Sequence, residues 1–521
     1  MKKIFIFLTA LSVTTGSYAN QANNELDYAS TKDIRDINPH LYSGEMAAQN
    51  MVFESLVINT NDGVKPWLAE SWSISEDGKT YVFHLRKDVK FSNGESFNAN
   101  VAKLNMEAVI ENFNRHAWLE LVQQIDHIEA PDDFTLVLKL KHPYYPTLTE
   151  LGLTRPFRFL SPKCFKQGKT LNGVDCYVGT GPWMLENHNK NAYARFVPNK
   201  NYWGKKPALN AVNWQVIPDR QTMLLAFQKG DIQLIYGADG DMLDMDSFKQ
   251  ISHSQQFASS MSEPTASRSI VLNSARPLTK DKKLRQALEY AVDKQGIATG
   301  IFNNAETVAE TLMSKTVPYA NVDVKTYGFD LAKSAKLLDE AGWILEKGKT
   351  IREKAGTPLS LLLSYNVNNA SEKEIAELMQ ADFKKLGIDL QILGEEKQAF
   401  LDRQKLGDFD LQYSLSWGKP YDPASFVSSF RIPAHADFQA QKGLPNKAEI
   451  DRTIGELLIT PDEQKRQALY ADLFKTLADE AVYIPLTYSR TKAIYAKALE
   501  GVAFNPSQYE IPFEKMSFKS K

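Results

Sequence analysis

PLSLLLSYNVNNASEKEIAELMQADFKKLGIDLQIL, residues 358–393, is the segment that decides the fold class of this 521-residue chain. Residues 358–365 form an apolar run that predicts a buried strand. Ser371 and Glu374 have the spacing of a capping box, and an apolar stripe at helical spacing continues to Gly387, a typical helix stop. Residues 388–393 then predict a second strand. A strand–helix–strand succession of this kind indicates an α/β protein with a largely parallel sheet.

Similar elements are predicted on both sides of this segment. Residues 80–86 alternate between large apolar and polar side chains, which predicts a half-buried strand. A helix opened by Asn98 or Asn100 follows. Towards the C-terminus, Thr460 is the expected cap of another long helix, and residues 482–488 predict a strand.

The chain is too long for a single hydrophobic core, and we expect two lobes. Two short strands, predicted at residues 268–273 and 484–488, are candidates for crossings between the lobes. We therefore predict a first lobe at residues 20–267, a second lobe at 268–486, and a tail at 487–521 that returns to the first lobe. Two lobes on a paired linker can close around a ligand.

The N-terminal nineteen residues are typical of a secretory signal. Lys2 and Lys3 precede a short apolar run, and small residues lead up to Ala19, where we expect cleavage. No cysteine stands directly after that point, so we expect an exported protein without a lipid anchor, located in the periplasm. The chain has a formal net charge of -2. That balance gives no signature of nucleic-acid or membrane-surface binding, and no second hydrophobic span indicates membrane insertion.

The sequence has two cysteines, Cys164 and Cys176. An oxidising compartment allows them to form a disulfide, which would stabilise the fold by roughly 3 kcal/mol. A metal site is the weaker alternative because the two thiols lack metal-ligand spacing and a neighbouring histidine.

Motifs spread in order along the whole chain carry a family resemblance. They are PWLAESW (66–72), SEDGKT (75–80), LRKDVKF (85–91), GTGPW (179–183), NYWG (201–204), LRQAL (284–288) and AGW (341–343). Together they resemble the large peptide- and nickel-binding family of receptors for ABC importers. This resemblance implies a two-lobed, type II periplasmic binding protein with an extra subdomain in the first lobe. It also implies a monomer that serves an ABC permease and its ATPase.

A second set of motifs resembles the nickel-binding members of that family. The set is NPHLY (38–42), RHAWLEL (115–121), RPFRF (155–159), WGKPYDP (417–423) and HADFQ (435–439). The implied cargo is nickel held by a small organic chelator, for example histidine or a polycarboxylate. The implied roles are metal contact for His435, a carboxylate clamp for Arg115 and Arg155, and a pocket formed by Trp118, Trp417, Tyr421, Met46 and Tyr509. Tyr509 departs from the pattern, since the nickel-binding members have a smaller hydroxyl residue there.

The chemistry of these side chains is compatible with the implied roles. Neutral imidazole is a favoured ligand of nickel, and a chelator fills the coordination positions that one histidine leaves open. The guanidinium groups of Arg115 and Arg155 grip carboxylates in pairs and stay charged. By themselves, the large aromatic residues are more typical of a hydrophobic core than of a pocket, and Met46 is more typical of packing than of a metal ligand.

Several alternatives stay open at this point. A peptide or haem receptor would use the same fold, although Lys419 would repel the ammonium group of a peptide. His40 or His116 could add a second metal contact. An enzyme is not expected, because the chain has neither a Gly-x-Ser-x-Gly elbow nor a His-Glu-x-x-His run.

Overall fold

The computed structural model describes residues 23–238 and 243–519. The predicted signal at residues 1–19 lies outside the described residues. Within them the chain combines helices with several β-sheets, which confirms the predicted α/β class. In these two ranges, no helix has both the length and the apolar character that a membrane crossing requires.

Residues 358–393 form two parallel strands, Ser360–Asn366 and Asp389–Glu395, joined by the helix Ala370–Lys385. One stripe of the helix is buried, at Ile375, Met379 and Phe383, so these apolar side chains pack into the core with the strands. The predicted capping box is wrong. The helix begins at Ala370 with Asn369 before it, and the carboxylate of Glu372 accepts the backbone N–H of Asn366.

These two strands belong to a six-stranded sheet, as far as the structure describes the chain. Its spatial order is Thr307–Val308, Tyr483–Ser489, Ala266–Leu272, Leu411–Leu415, Ser360–Asn366 and Asp389–Glu395. The central strand Ala266–Leu272 is buried along its whole length and pairs antiparallel with both neighbours.

A seven-stranded sheet is formed by parts of the chain that are distant in sequence, counted over the described residues. Its order is Trp183–Asn189, Tyr193–Pro198, Ala211–Val216, Glu25–Ser30, Leu234–Gly237, Lys492–Ala496 and Phe257–Met261. The strand Glu25–Ser30 is parallel to both of its neighbours. The strand Lys492–Ala496 comes from the C-terminal part of the chain and is antiparallel to both of its neighbours.

Smaller sheets complete the strand inventory of the described residues. A four-stranded antiparallel sheet has the order Ala69–Ile74, Thr80–Leu85, Thr135–Leu140 and Ile125–Asp132. Two-stranded pairs are Val57–Thr60 with Gly63–Pro66, Phe165–Lys166 with Lys169–Val174, Glu353–Lys354 with Thr357–Pro358, and Leu499–Glu500 with Ser517–Phe518.

The helices pack on both large sheets and on the four-stranded sheet. In the first half they are Met46–Val52, Ala99–Glu111, Phe113–His116, Glu120–Gln124, Thr147–Leu151, Arg220–Lys229 and Met245–Ser252. In the second half they are Lys282–Tyr290, Lys294–Gly296, Leu331–Glu340, Ala370–Lys385, Lys397–Leu406, Ala424–Ser429, Ala436–Gln441, Lys447–Ile459 and Glu463–Glu480. Short 3₁₀ turns lie at Pro162–Cys164 and Phe513–Lys515, and a π-helical turn at Ile297–Ile301.

One hydrophobic core joins the four-stranded sheet to helices from the second half of the chain. It includes Phe83 and Leu136 of the sheet together with Phe426, Ile454 and Leu473 of the helices. Each side chain that is fully buried in this way stabilises the fold by about 1.5–3 kcal/mol. The core therefore holds sequence-distant halves of the chain against each other.

Two connections carry the chain between the large sheets. The first follows the strand Phe257–Met261, and the second lies between Tyr483–Ser489 and Lys492–Ala496. The predicted division into residues 20–267, 268–486 and 487–521 stays a prediction, and we propose that each large sheet forms the centre of one lobe.

Candidate functional site

A cavity of about 310 Å³ lies where strands of the two large sheets end. Tyr28 and Tyr236 line it from the seven-stranded sheet, and Leu415 lines it from the six-stranded sheet. Ligands of α/β proteins commonly bind at such strand ends. Three residues predicted for the site, Met46, Arg155 and Tyr509, line this same cavity.

The guanidinium group of Arg155 is fixed by its surroundings. Its Nη1 donates to the carbonyl of Gly44 at 3.0 Å and to Oε1 of Gln49 at 3.5 Å. Its central carbon lies 5.0 Å from the centre of the Tyr42 ring, a cation–π contact. Burial lowers the pKa of Arg155, but an arginine stays charged under such conditions. Arg155 is therefore a held positive charge at the cavity.

Aromatic side chains predicted as pocket walls form one connected cluster. The ring centres of Trp118 and Trp417 are 5.3 Å apart, and Tyr421 lies 6.1 Å from Trp417. Tyr509 packs edge-on against Tyr421 at 5.9 Å and so links the cluster to the cavity. The Tyr421 hydroxyl donates to the sulfur of Met46 at 3.8 Å. The structure thus brings five predicted residues into contact.

His435 lies at the edge of this cluster, directly before the helix Ala436–Gln441. Its ring centre is 5.6 Å from that of Trp417. Burial lowers the pKa of the imidazole to about 4, so the ring is neutral at physiological pH. A neutral imidazole has the lone pair that a metal ligand needs.

Arg115 lies in a different environment from Arg155. It belongs to the short helical turn Phe113–His116, and its side chain is exposed. Over the described ranges it makes no side-chain hydrogen bond or ion pair, and it does not line the cavity. Its charge nevertheless acts on Tyr42, because both Arg115 and Arg155 lower the pKa of that phenol, against the larger effect of burial that raises it.

The two histidines left open by the sequence are both buried. His40 uses both ring nitrogens, Nδ1 with Oγ1 of Thr170 at 3.0 Å and Nε2 with the carbonyl of Arg158 at 2.9 Å. It is therefore committed to the protein interior. His116 is fully buried, and its Nδ1 is hydrogen-bonded to the hydroxyl of Tyr42.

Several residues that line the cavity were not predicted from the sequence. Tyr42 lies in the NPHLY motif but had no predicted role, and Lys32, Arg35 and Lys397 carry no spacing signal. Among the described residues, the cavity lining includes the basic side chains of Lys32, Arg35, Lys397 and Arg155 and the carboxylate of Glu45, which pairs with Arg35. The held charge of Arg155 suits the carboxylate of a ligand.

Cys164 and Cys176 are joined as a disulfide, with their Cα atoms 4.9 Å apart. Cys164 is fully buried and packs in the core of the seven-stranded sheet. The bond therefore ties the segment around residue 176 to the core of the seven-stranded sheet.

Residues 63–438 match the model of a known protein family, described as the middle part of bacterial extracellular solute-binding proteins, family 5. The chain is 45% identical over 497 residues to the nickel-binding periplasmic protein of Escherichia coli (strain K12), covering 95% of each chain. It is 28% identical to the dipeptide-binding protein of the same strain, covering 97% of this chain and 96% of that one.

A solved structure is similar over almost the whole chain. It is NikA from Brucella suis in complex with Fe(III)-EDTA, with a TM-score of 0.93 and 45% identity. The likeness covers 95% of this chain and 100% of that one.

Proposed function

Because this chain belongs to family 5 of the bacterial extracellular solute-binding proteins, we propose that it is the substrate-binding protein of a nickel ABC importer. It captures nickel as a complex with a small organic chelator such as histidine or a polycarboxylate. The observation that carries this proposal is the 45% identity to a nickel-binding periplasmic protein across 95% of both chains.

The chemistry of the site supports a chelated metal as the cargo. The guanidinium group of Arg155, which is held at the cavity, suits the carboxylates of a chelator better than a bare divalent cation. One neutral imidazole, that of His435, supplies a single further bond to a metal whose other positions the chelator fills. The similar NikA structure holds a metal in such a form, as Fe(III)-EDTA.

Capture works without chemical change of the cargo, as in a receptor and not an enzyme. The ligand contacts residues from both large sheets, so it stabilises the closed arrangement of the two lobes. The closed protein then delivers its cargo to a membrane permease driven by an ATPase. We propose that this happens in the periplasm, where the Escherichia coli relative is located, and that the protein acts as a monomer.

The surroundings of Asp422 argue against a peptide as the main cargo. Its Oδ2 accepts the hydroxyl proton of Ser416 at 2.6 Å, and burial raises its pKa to about 7. Asp422 is buried and does not line the cavity, so it is not placed to hold the ammonium group of a peptide there. The dipeptide-binding relative still makes peptides the competing cargo.

Thermal unfolding with matched ligands tests the proposal. Ni²⁺ with EDTA and Ni²⁺ with L-histidine are compared with dipeptides and haem at equal concentrations. A ligand at 100 times its Kd stabilises the folded protein by about 2.7 kcal/mol. We expect Tm to rise with a nickel complex only. If Tm rises with dipeptides alone, the cargo is a peptide and not a nickel complex. Elemental analysis of the protein as isolated gives an independent result, because it measures nickel directly.

A further inference from the structure

Tyr42 lies at the centre of the site but has no assigned role. It lines the cavity beside Arg155 and Met46. Its ring is also 5.8 Å from Trp118 and 5.2 Å from His116, both in edge-on contacts. One tyrosine therefore contacts the half-buried arginine and an aromatic wall at the same time.

The hydroxyl of Tyr42 is anchored away from the cavity. His116 is fully buried, and this burial lowers the pKa of its imidazole to about 4. The ring is therefore neutral at physiological pH, and Nδ1 can accept the proton of the Tyr42 hydroxyl. Because that proton is committed to His116, the tyrosine ring cannot turn without losing a buried hydrogen bond.

Arg155 is held between two groups that Tyr42 and its loop supply. The guanidinium group lies over the face of the Tyr42 ring, and Nη1 donates to the carbonyl of Gly44, two residues further along. The electron-rich ring face attracts the cation. These two contacts leave the other guanidinium nitrogens for a ligand carboxylate.

We propose that Tyr42, anchored by His116, is a positioning residue that fixes Arg155 and Trp118 in the geometry in which they bind the cargo. Tyr42 acts through these two neighbours. The effect on cargo binding rests on the proposed function, whereas the placement of Arg155 can be tested without any ligand.

The ligand-free test uses the Nε–H resonance of Arg155 in protein labelled with ¹⁵N-arginine. The signal is assigned by its loss in Arg155→Lys. A ring in face contact shifts the resonances of the group above it, so we expect Tyr42→Leu to remove this shift from the Arg155 signal. Tyr42→Phe keeps the ring but loses its bond to His116, and it should change the signal less. Tyr42→Met replaces Tyr42→Leu if that variant fails to fold. An Arg155 signal that is the same in wild type and in the variant without the ring overturns the proposal, whatever the protein binds.

Binding of Ni–EDTA, measured by calorimetry, gives the second readout. We expect roughly tenfold weaker binding in Tyr42→Leu, the size of one partly desolvated cation–π contact. Tyr42→Phe keeps the ring, so its affinity for Ni–EDTA should fall less than that of Tyr42→Leu. His116→Gln, which still offers an acceptor to the hydroxyl, should bind more tightly than His116→Leu.

The matched control is Tyr290→Leu. Tyr290 also makes a cation–π contact, because Nζ of Lys333 lies 4.1 Å from its ring centre. It does not line the cavity. It should bind Ni–EDTA like the wild type. If Tyr42→Leu also binds Ni–EDTA like the wild type, the positioning role is wrong while the proposed function stands. If the wild type binds no nickel complex, the proposed function fails and the Arg155 resonance still decides the role of Tyr42.

Discussion

Arg155 and Arg115 carry the same predicted task, but the structure gives them opposite surroundings. Arg155 is held by the carbonyl of Gly44 and by the Tyr42 ring. Arg115 is exposed on the short turn Phe113–His116. A side chain that is already ordered loses little conformational freedom when it binds, whereas an exposed arginine gives up as much as about 2 kcal/mol of rotamer entropy. The two arginines should therefore contribute unequally to affinity.

Removing Arg155 should have the largest effect. In Arg155→Ala we expect binding of Ni–EDTA, followed by calorimetry, to weaken by about 100-fold. Truncation of one partner of a buried charged pair costs 2–5 kcal/mol, because the ligand carboxylate is left in the cavity without its cation.

Arg86→Ala is the matched control for that experiment. Arg86 also lies over an aromatic ring, with its guanidinium carbon 4.2 Å from the centre of Trp203, but it does not line the cavity. It should bind Ni–EDTA like the wild type. If Arg155→Ala binds Ni–EDTA as tightly as the wild type, Arg155 does not contribute more to affinity than Arg115.

His435→Ala should have the next largest effect and acts on the metal, not on the chelator. We expect about tenfold weaker retention of nickel bound to one L-histidine, a chelator that leaves coordination positions open, within the range found for changes close to a bound metal. The visible absorption of the nickel complex should change on binding to the wild type and not on binding to the variant. His253→Ala is the control, because that histidine is exposed at the end of the helix Met245–Ser252. An unchanged spectrum in the wild type would exclude a bond from His435 to nickel.

Tyr509→Thr should change selectivity more than affinity. Tyr509 lines the cavity and packs on Tyr421, so a smaller side chain gives more room to a bulky chelator. We expect the ratio of affinities for Ni–EDTA and for nickel with L-histidine to shift about fivefold, the scale of small changes in pocket size. Competition dialysis with both complexes measures the ratio. Tyr193→Thr, at an exposed tyrosine, should leave it unchanged, and an unaltered ratio in Tyr509→Thr would show that this ring does not select the chelator.

Local patterns in the sequence predicted much of the fold. The parallel pair Ser360–Asn366 and Asp389–Glu395 with its crossover helix is confirmed, because period and turn residues are local properties. Helix starts were less predictable. Asn98 is a cap as expected, accepting the backbone N–H of Val101, but the last long helix begins after Asp462 and not at Thr460. Where several capping residues follow one another, the path of the chain decides between them.

The site was only partly predictable, for a different reason. Motif resemblance selected Met46, Arg155 and Tyr509, which converge on the cavity. It gave no sign that Arg115 is exposed or that Tyr42 is anchored by His116, 74 residues away in the chain. Burial and hydrogen bonding of this kind depend on how distant segments pack together. The spacing of residues within one segment carries no information about that packing.

Arg115→Ala should have the smallest effect and gives the sharpest test of the contrast with Arg155. An exposed charge contributes about 0–1 kcal/mol and is screened by salt, over a Debye length of about 8 Å at 0.15 M and about 30 Å at 0.01 M ionic strength. We therefore expect at most about fivefold weaker binding of Ni–EDTA at 0.15 M salt and a larger loss at 0.01 M. Calorimetry at both ionic strengths, with Arg155→Ala alongside, measures the difference. Because Arg155 is held in a partly desolvated position, its loss should depend less on salt. A 100-fold loss in Arg115→Ala at both salt concentrations would mean that the turn Phe113–His116 closes over the bound ligand and that the two arginines act as equals.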